Sequence, residues 1–474
     1  MLKKLISHTL IYGLAPQLPK IASLFILPII TKDLTTKDYG IAGLVEAYTG
    51  ALGAIGGLGL PVVLSNYFIK ARTRYKGFWK EIHGILSVWS IAYTFLLALF
   101  LYCILPSEAN EHLYTIIFLN CLPPLLFNTT NIIGNYYYQL EQKPLVIGII
   151  SATSGFVAVF MNLFTISYLK MGYLGWFISS ATAVLVTFLF YVYPVYFKHD
   201  LSPNFKFKLK RVKKYLKISL PTIPHYYSSY LLDSADRVIL GYYKVNINSL
   251  GLYNVGYNFG NYIRFLVMAI NQAVSPFYLR YYAKGTTSSQ YAARDLTFLL
   301  QGGVLFICSI LALWLKEIFQ ILISNKELQK GYVVGILIIM AYSYRPMYVG
   351  AVNKLFYHEK TSQLWKISFI AGITNLVLNL IFIPIYGIYA AAVTTFLSLL
   401  YMGFSAYFLN VFKKIEDVKY YPLRWMLIIL FLSTTVFILK DINVRFKITI
   451  TILFACFISL LLYKLYRELN KENI

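Results

Sequence analysis

The sequence predicts an all-α polytopic membrane protein, and three observations carry that expectation. Of 474 residues, 58% are hydrophobic and only 13% charged, a balance that soluble domains of this length do not sustain. Apolar runs of about 20 residues, long enough to cross a bilayer core, recur along the whole chain. Short polar segments separate them. Fourteen such runs are read, near 10–30, 41–69, 82–105, 113–138, 145–169 and 173–197, then 218–240, 249–279, 295–315, 331–354, 363–386, 388–410, 422–439 and 446–466.

The first run follows Met1-Leu2-Lys3-Lys4 but is too long for a signal peptide, carries Lys20 and lacks a small-residue cleavage site, so it reads as mature structure. Pro16, Pro19 and Pro28 are expected to bend it. Six runs fill an N-terminal lobe, 1–197. A basic polar segment, 198–217, reads as an inter-lobe linker, a second six-helix lobe follows at 218–412, and 413–474 adds two further helices and a tail.

Three matches at a near-constant offset suggest that the lobes are parallel repeats. Asp38-Tyr39-Gly40-Ile41 corresponds to Ser249-Leu250-Gly251-Leu252. Glu141-Gln142-Lys143-Pro144 corresponds to His358-Glu359-Lys360-Thr361. Asn162-Leu163 with Gly172-Tyr173-Leu174-Gly175 corresponds to Asn379-Leu380 with Gly387-Ile388-Tyr389-Ala390. In the second run, Gly43, Ala47 and Ala51, with Gly50 and Ala54, then Gly53 and Gly57, form small-residue stripes that permit close packing.

The net charge of +24 would suggest nucleic acid in a soluble protein. Its distribution points to the membrane instead. With the N-terminus placed in the cytoplasm, 29 of the 43 Lys and Arg fall on inside segments and 10 on outside ones. That asymmetry follows the positive-inside bias, predicts both termini in the cytoplasm, and suits contact with anionic lipid.

With residues near run ends counted in the adjoining segments, four cations fall inside the runs themselves: Lys20, Arg237, Arg264 and Arg345. A charge at a helix centre costs roughly 2.5–3.5 kcal/mol on insertion scales, so each calls for a reason. Arg grips phosphate oxygens through a planar fork and Lys acts as a point charge, so together they fit an anionic cargo. Structural pairing competes with that reading. Arg237 has Asp233 at i−4 and Asp236 adjacent, and Glu46 is a candidate partner for Lys20. Arg264 and Arg345 have no acid at similar depth in their own runs. Glu46, Asp233 and Asp236 are also the residues that would serve a proton or sodium site.

Signals of catalysis or resident cofactors are not found. There is no GxxxxGK[ST] loop, no second His after His358-Glu359, no Asp-x-Asp pair, and no Cys/His cluster among Cys103, Cys121, Cys308 and Cys456. His225 reads as packed or hydrogen-bonded. The 42 tyrosines, in clusters such as Tyr136-Tyr137-Tyr138 and Tyr242-Tyr243, suit interfacial belts, with some available to stack on sugar rings.

The stretch Ser234-Ala235-Asp236-Arg237-Val238-Ile239-Leu240-Gly241, followed by Ser249-Leu250-Gly251-Leu252-Tyr253, resembles the Wzx-type polysaccharide flippases of the multidrug/oligosaccharidyl-lipid/polysaccharide exporter superfamily. Ala273-Val274-Ser275-Pro276-Phe277, Lys37-Asp38-Tyr39-Gly40 and the segment from Asn379 to Ala392 extend the resemblance over most of the chain. It implies a V-shaped pair of bundles with a cationic lumen, and transfer of an undecaprenyl-diphosphate-linked oligosaccharide across the bacterial cytoplasmic membrane for O-antigen, capsule or exopolysaccharide synthesis. Lys20, Arg237, Arg264 and Arg345 are the positions nominated for the diphosphate. Membrane lipids, a polysaccharide polymerase and a chain-length regulator are the further partners it suggests; nucleic acid, metal and cofactor are not expected. A multidrug or cation antiporter of the same superfamily is one alternative, predicting an acid-dominated lumen. A membrane glycosyltransferase or polymerase is another, predicting a sizeable outer loop with catalytic acids.

Overall fold

The computed structural model describes residues 18–360, 364–415, 418–456 and 463, apart from the side chains of His225, Tyr226, Ser228, Ser229, Ala269, Gln272 and Ala273. Pro16, the start of the first expected run, the reading of His225 and the far part of the run at 446–466 lie outside it. Among the described residues, all regular secondary structure is helical. The chain divides into two compact units, Met1–Tyr230 and Leu231–Ile474.

In the first unit, α1 (Leu18–Ile30) packs on α7 (Pro144–Asn162), with the Pro19 ring against Gly155, where any Cβ would collide. Helix α2 (Thr36–Gly56) opens with a capping box formed by Thr35 and Asp38. The Asp38 carboxylate also accepts from the Tyr173 amide at 3.0 Å, tying the start of α2 to the turn before α8 (Leu174–Val192). The Asp38-Tyr39-Gly40 motif is therefore a joint between two helices. Leu58 and Gly59, both with positive φ, end α2 and admit α3 (Pro61–Lys70). Helix α4 (Tyr75–Ile104) is continuous, whereas α5 (Leu113–Leu126) and α6 (Asn128–Leu140) meet at a 47° bend after Pro123 and Pro124. The glycine stripe of α2 meets aromatic rings: Tyr230 lies against Gly50, and Tyr227 and Tyr230 donate to the Ala51 and Ala47 carbonyls at 2.7 and 2.9 Å.

The expected linker, 198–217, is stitched to α4. Asn204 donates its amide to the Lys80 carbonyl at 2.9 Å, and the His83 ring meets the Leu201 carbonyl at 2.8 Å. Arg211 and Tyr215, on α9 (Leu209–Ser219), both reach the Glu81 carboxylate. Polar residues that read as solvated spacer thus close a joint within the first unit, and the division falls later, inside α10 (Ile223–Asp233).

The second unit runs through α11 (Ala235–Tyr242), α12 (Ile247–Lys284), α13 (Thr287–Leu313), α14 (Leu315–Leu322), α15 (Lys326–Gln329), α16 (Tyr332–Ala341), α17 (Arg345–Tyr357), α18 (Leu364–Phe404), α19 (Asn410–Ile415) and α20 (Pro422–Leu439); residues 444–456 are also helical. Gly256 on α12 touches the backbone of Gly331 and Gly335 more closely than a Cβ allows, so α12 and α16 cross at backbone contact. Helix α18 carries a sharp break at Gly387 (φ 58°), and Thr394 donates back to Asn379 across it, making a hairpin of two spans.

Eight described helices are long and apolar enough to cross a bilayer, or nine if the bent α5–α6 pair is one span. The chain is thus a multi-pass membrane protein; the expected fourteen exceeds this count for physical reasons. The run at 218–240 is broken into short helices, α12 over the run at 249–279 is not among those counted, the two spans of the α18 hairpin count as one helix, and the first and last runs are only partly described.

The start of the final helix is anchored by Lys447, which is fully buried. Its ammonium contacts both Glu317 carboxylate oxygens at 2.9 Å and donates to the Leu313 and Lys440 carbonyls. In the loop before it, Asp441 accepts from Lys316 and Tyr332, and the Lys316 ammonium holds its carboxyl down at about 2. Folding lowers that pKa, so its stabilisation is present above the unfolded value near 3.9 and fades as pH falls toward about 2. Lys447→Met is expected to cost roughly 3–5 kcal/mol, because Glu317 and two carbonyls lose their partner; a detergent-solution melt that barely moves would contradict the clamp. The Asp441 contribution should be flat between about pH 5 and 8, as comparison of the wild type with Asp441→Asn would show.

Candidate functional site

Breaks in membrane-spanning helices expose backbone groups that must be satisfied internally or line a cavity, so they mark where function concentrates. The second unit has such a break at Ser234, between α10 and α11, and another at the 3₁₀ turn Tyr342–Tyr344, between α16 and α17. Three of the four nominated cations lie at or beside them.

Arg237 and Asp236 sit one turn into α11, only 7% and 1% exposed. The Arg237 Nε donates to Asn254 Oδ1 at 2.5 Å and its Nη1 to the Asp233 carbonyl at 2.8 Å, while the Asp236 carboxylate lies 3.6 Å away. The guanidinium also stacks 4.2 Å over the Tyr257 ring. Tyr253 donates to the other Asp236 oxygen. Arg237 is thereby held in a closed, neutral network that fastens α11 to α12.

The expected i−4 pairing of Arg237 with the Asp233 side chain gives way to another. The break at Ser234 lets the Asp233 carboxylate turn to Arg264, 2.7 Å away on α12. This pair is partly exposed, at 24% for Arg264 and 35% for Asp233, and the buried Arg264 Nε has no hydrogen-bond partner among the described residues. Tyr253, Tyr257, Asn261 and Arg264 recur at i, i+4, i+8 and i+11, a polar stripe along α12.

Arg345 begins α17, next to Pro346. The turn that precedes it is braced by buried Gln301 of α13, which donates to the Ser343 carbonyl at 2.7 Å and accepts from the Met347 amide at 3.3 Å. Arg345 faces Tyr344 and Tyr348, each ring 5.7 Å away. Among the described residues no carboxylate lies within ion-pair distance, and its buried Nε has no partner. Asp233 and Tyr342 are common electrostatic neighbours of Arg264 and Arg345. With Arg237 matched by Asp236 and Arg264 by Asp233, the cluster carries one surplus positive charge, on Arg345. Its open donors suit a bidentate anion, and no group of three His, Cys, Asp or Glu able to hold a metal occurs among the described residues.

Lys20 and Glu46 belong to the first unit, Lys20 half-buried on α1 and Glu46 exposed on α2. Sequence reading missed Tyr253, Asn254, Tyr257 and Gln301. The stripe on α12 was the available signal for Tyr253 and Tyr257, whereas Asn254 lies beside it and Gln301 is an isolated amide in an apolar run.

The polysaccharide biosynthesis protein family model matches residues 2–281, more than half of the chain, and the chain belongs to that family. The whole fold is similar to that of a lipid II flippase, MurJ, in an inward closed conformation, at 13% identity and TM-score 0.66, covering 96% of this chain and 98% of that one. It is also similar to an inward-facing multidrug resistance MATE family transporter of the MOP superfamily, at 13% identity and TM-score 0.60, covering 90% and 96%. A Vibrio cholerae MATE transporter, VcmN, matches at 16% identity and TM-score 0.54, covering 87% and 96%. Among curated proteins none matches the sequence. The protein therefore has the flippase and transporter fold expected from its resemblance.

Arg237 and Arg345 should respond oppositely to removal. Arg237→Ala strands Asp236 and should destabilise the protein by roughly 3–5 kcal/mol. Arg345→Met strands no carboxylate and should change the melting midpoint little or raise it. Equal losses in detergent melts would contradict the assignment of the surplus charge.

Proposed function

We propose that the protein is a flippase, not an enzyme, that moves an undecaprenyl-diphosphate-linked oligosaccharide across the bacterial cytoplasmic membrane for surface polysaccharide synthesis. The observation that carries this reading is Arg345, a half-buried guanidinium whose Nε has no hydrogen-bond partner and which has no carboxylate within ion-pair distance among the described residues, beside a second arginine with an unmet Nε. The family supplies the polysaccharide context. Both termini are cytoplasmic in this reading, as the distribution of Lys and Arg suggests.

The diphosphate, with several formal negative charges and acceptor oxygens on every side, takes the place that water cannot fill in an apolar span. Arg345 grips it through its fork, and Arg264 joins by sharing or releasing Asp233. That exchange couples binding to the helix break at Ser234, because Asp233 lies immediately before it. Arg237 holds the frame through α11 and α12, and Lys20 is a further candidate cation in the first lobe. Asp233, Asp236 and Glu46 remain the candidates for a proton- or sodium-coupled step.

A MATE-like antiport of organic cations is the second reading, since the fold is shared. It needs carboxylates free to take a cation, whereas Asp233 and Asp236 are both engaged by arginines. The test is binding of undecaprenyl diphosphate to the purified protein, followed by native mass spectrometry. Arg345→Ala is expected to weaken binding by roughly tenfold or more, as loss of a charge-assisted bidentate contact does. Unchanged lipid binding in Arg345→Ala and Arg264→Ala, with tight binding of a lipophilic cation, would favour the antiporter.

A further inference from the structure

The first lobe has its own pair of broken spans, and they meet. Helix α2 ends at Gly57 and the chain turns through Leu58 and Gly59, while the α5–α6 pair bends at Phe127. Where they meet lies a cavity of about 180 Å³, large against the ~10–15 Å³ that one water needs. It is lined by Gly53 and Gly56 of α2, Ser90 and Tyr93 of α4, and Asn128 and Thr129 of α6.

Among the described residues, no charged side chain lines this cavity. Its polar groups are hydroxyls and one amide, a mixture of donors and acceptors. Tyr93 and Thr129 are 7% and 9% exposed, and neither hydroxyl has a hydrogen-bond partner among the described residues. The hydroxyl-bearing carbon of Tyr93 lies over Gly56, at 3.3 Å from where a Cβ would stand. Ser90 donates to the Ser87 carbonyl at 2.8 Å, leaving its oxygen able to accept. Gly53 has no neighbour within 4 Å of a Cβ position, so the cavity floor is bare backbone. The Tyr93 and Thr129 hydroxyls line the cavity without a partner among the described residues, so an occupant with donors and acceptors can bond to them there.

We propose that this cavity seats one uncharged sugar ring of the cargo. A phosphate would find no cation here, and a prenyl chain would strand four polar groups. A neutral, hydroxyl-rich ring of single-residue size matches the volume, the donor and acceptor mixture, and the aromatic wall of Tyr93. The proposal rests on the reading of the cargo as a lipid-linked oligosaccharide, and it assigns recognition of the glycan to a neutral site in the first lobe, separate in kind from the arginines of the second.

Two lipids separate the contributions: undecaprenyl diphosphate without sugar, and lipid-linked oligosaccharide extracted from the protein's own host. Both are titrated against the full-length protein by native mass spectrometry. The wild type should bind the glycosylated lipid more tightly. Gly53→Leu, which fills the cavity, should weaken that binding roughly tenfold while leaving the sugarless lipid unchanged. If Gly53→Leu loses both lipids, the double variant Tyr93→Phe with Thr129→Val, which adds no bulk, decides in the same way. Variants that bind the glycosylated lipid as tightly as the wild type would overturn the sugar site and leave the cargo reading standing. A wild type that binds neither lipid would overturn the cargo reading, and the sugar site with it.

Discussion

The structure depends on one constraint: inside a bilayer, interrupted backbone must be satisfied within the protein or line a cavity, and an unpaired charge is costly. The chain interrupts its spans repeatedly, at Gly57–Leu60, Phe127, Ser234, Tyr342–Tyr344 and Gly387. At the first, third and fourth, a polar or aromatic side chain bonds to the backbone beside the break. Trp89 donates to the Ile55 carbonyl beside the first break, Asn128 and Thr129 follow the second, the Arg237 network closes the third, and Gln301 braces the fourth. These residues are expensive to bury, and they cluster where the helices stop being helices.

The same constraint divides the intramembrane cations into two kinds. Arg237 is enclosed by Asp236, Asn254 and two tyrosines, and Lys447 by Glu317 and two carbonyls, so both hold helices together. Arg345 faces only tyrosine rings, and Arg264 keeps an unmet Nε beside a partly exposed Asp233. Cation–π contact returns about 0.5–2 kcal/mol, less than the cost of burial, so Arg345 is left poised for an anion.

Much of this was legible in the chain. Composition and run length gave an all-α membrane protein, and Asp236-Arg237 carried the family resemblance. The pairing of Asp233 was misjudged because i−4 spacing assumes an unbroken helix, and Ser234 gives no obvious signal of a break. The basic segment 198–217 read as a spacer because the carbonyls of Lys80 and Leu201 that fasten it are backbone groups, invisible to side-chain pattern. The hairpin at Gly387 was read as two runs separated by a single glycine, which is nearly what the backbone does with its positive φ. Tertiary partners such as Gln301 with Ser343 lie 42 residues apart and leave no local trace.

The most direct measurement is made in the protein's own host. Its gene is deleted, and the lipid-linked glycans are quantified with their leaflet assigned by an impermeant probe. Complete repeat units trapped on the cytoplasmic leaflet, restored to the outer leaflet by the wild-type gene and not by Arg345→Ala, are what a diphosphate-gripping flippase predicts. Complete units reaching the outer leaflet normally without the protein, or incomplete units accumulating inside, would contradict it.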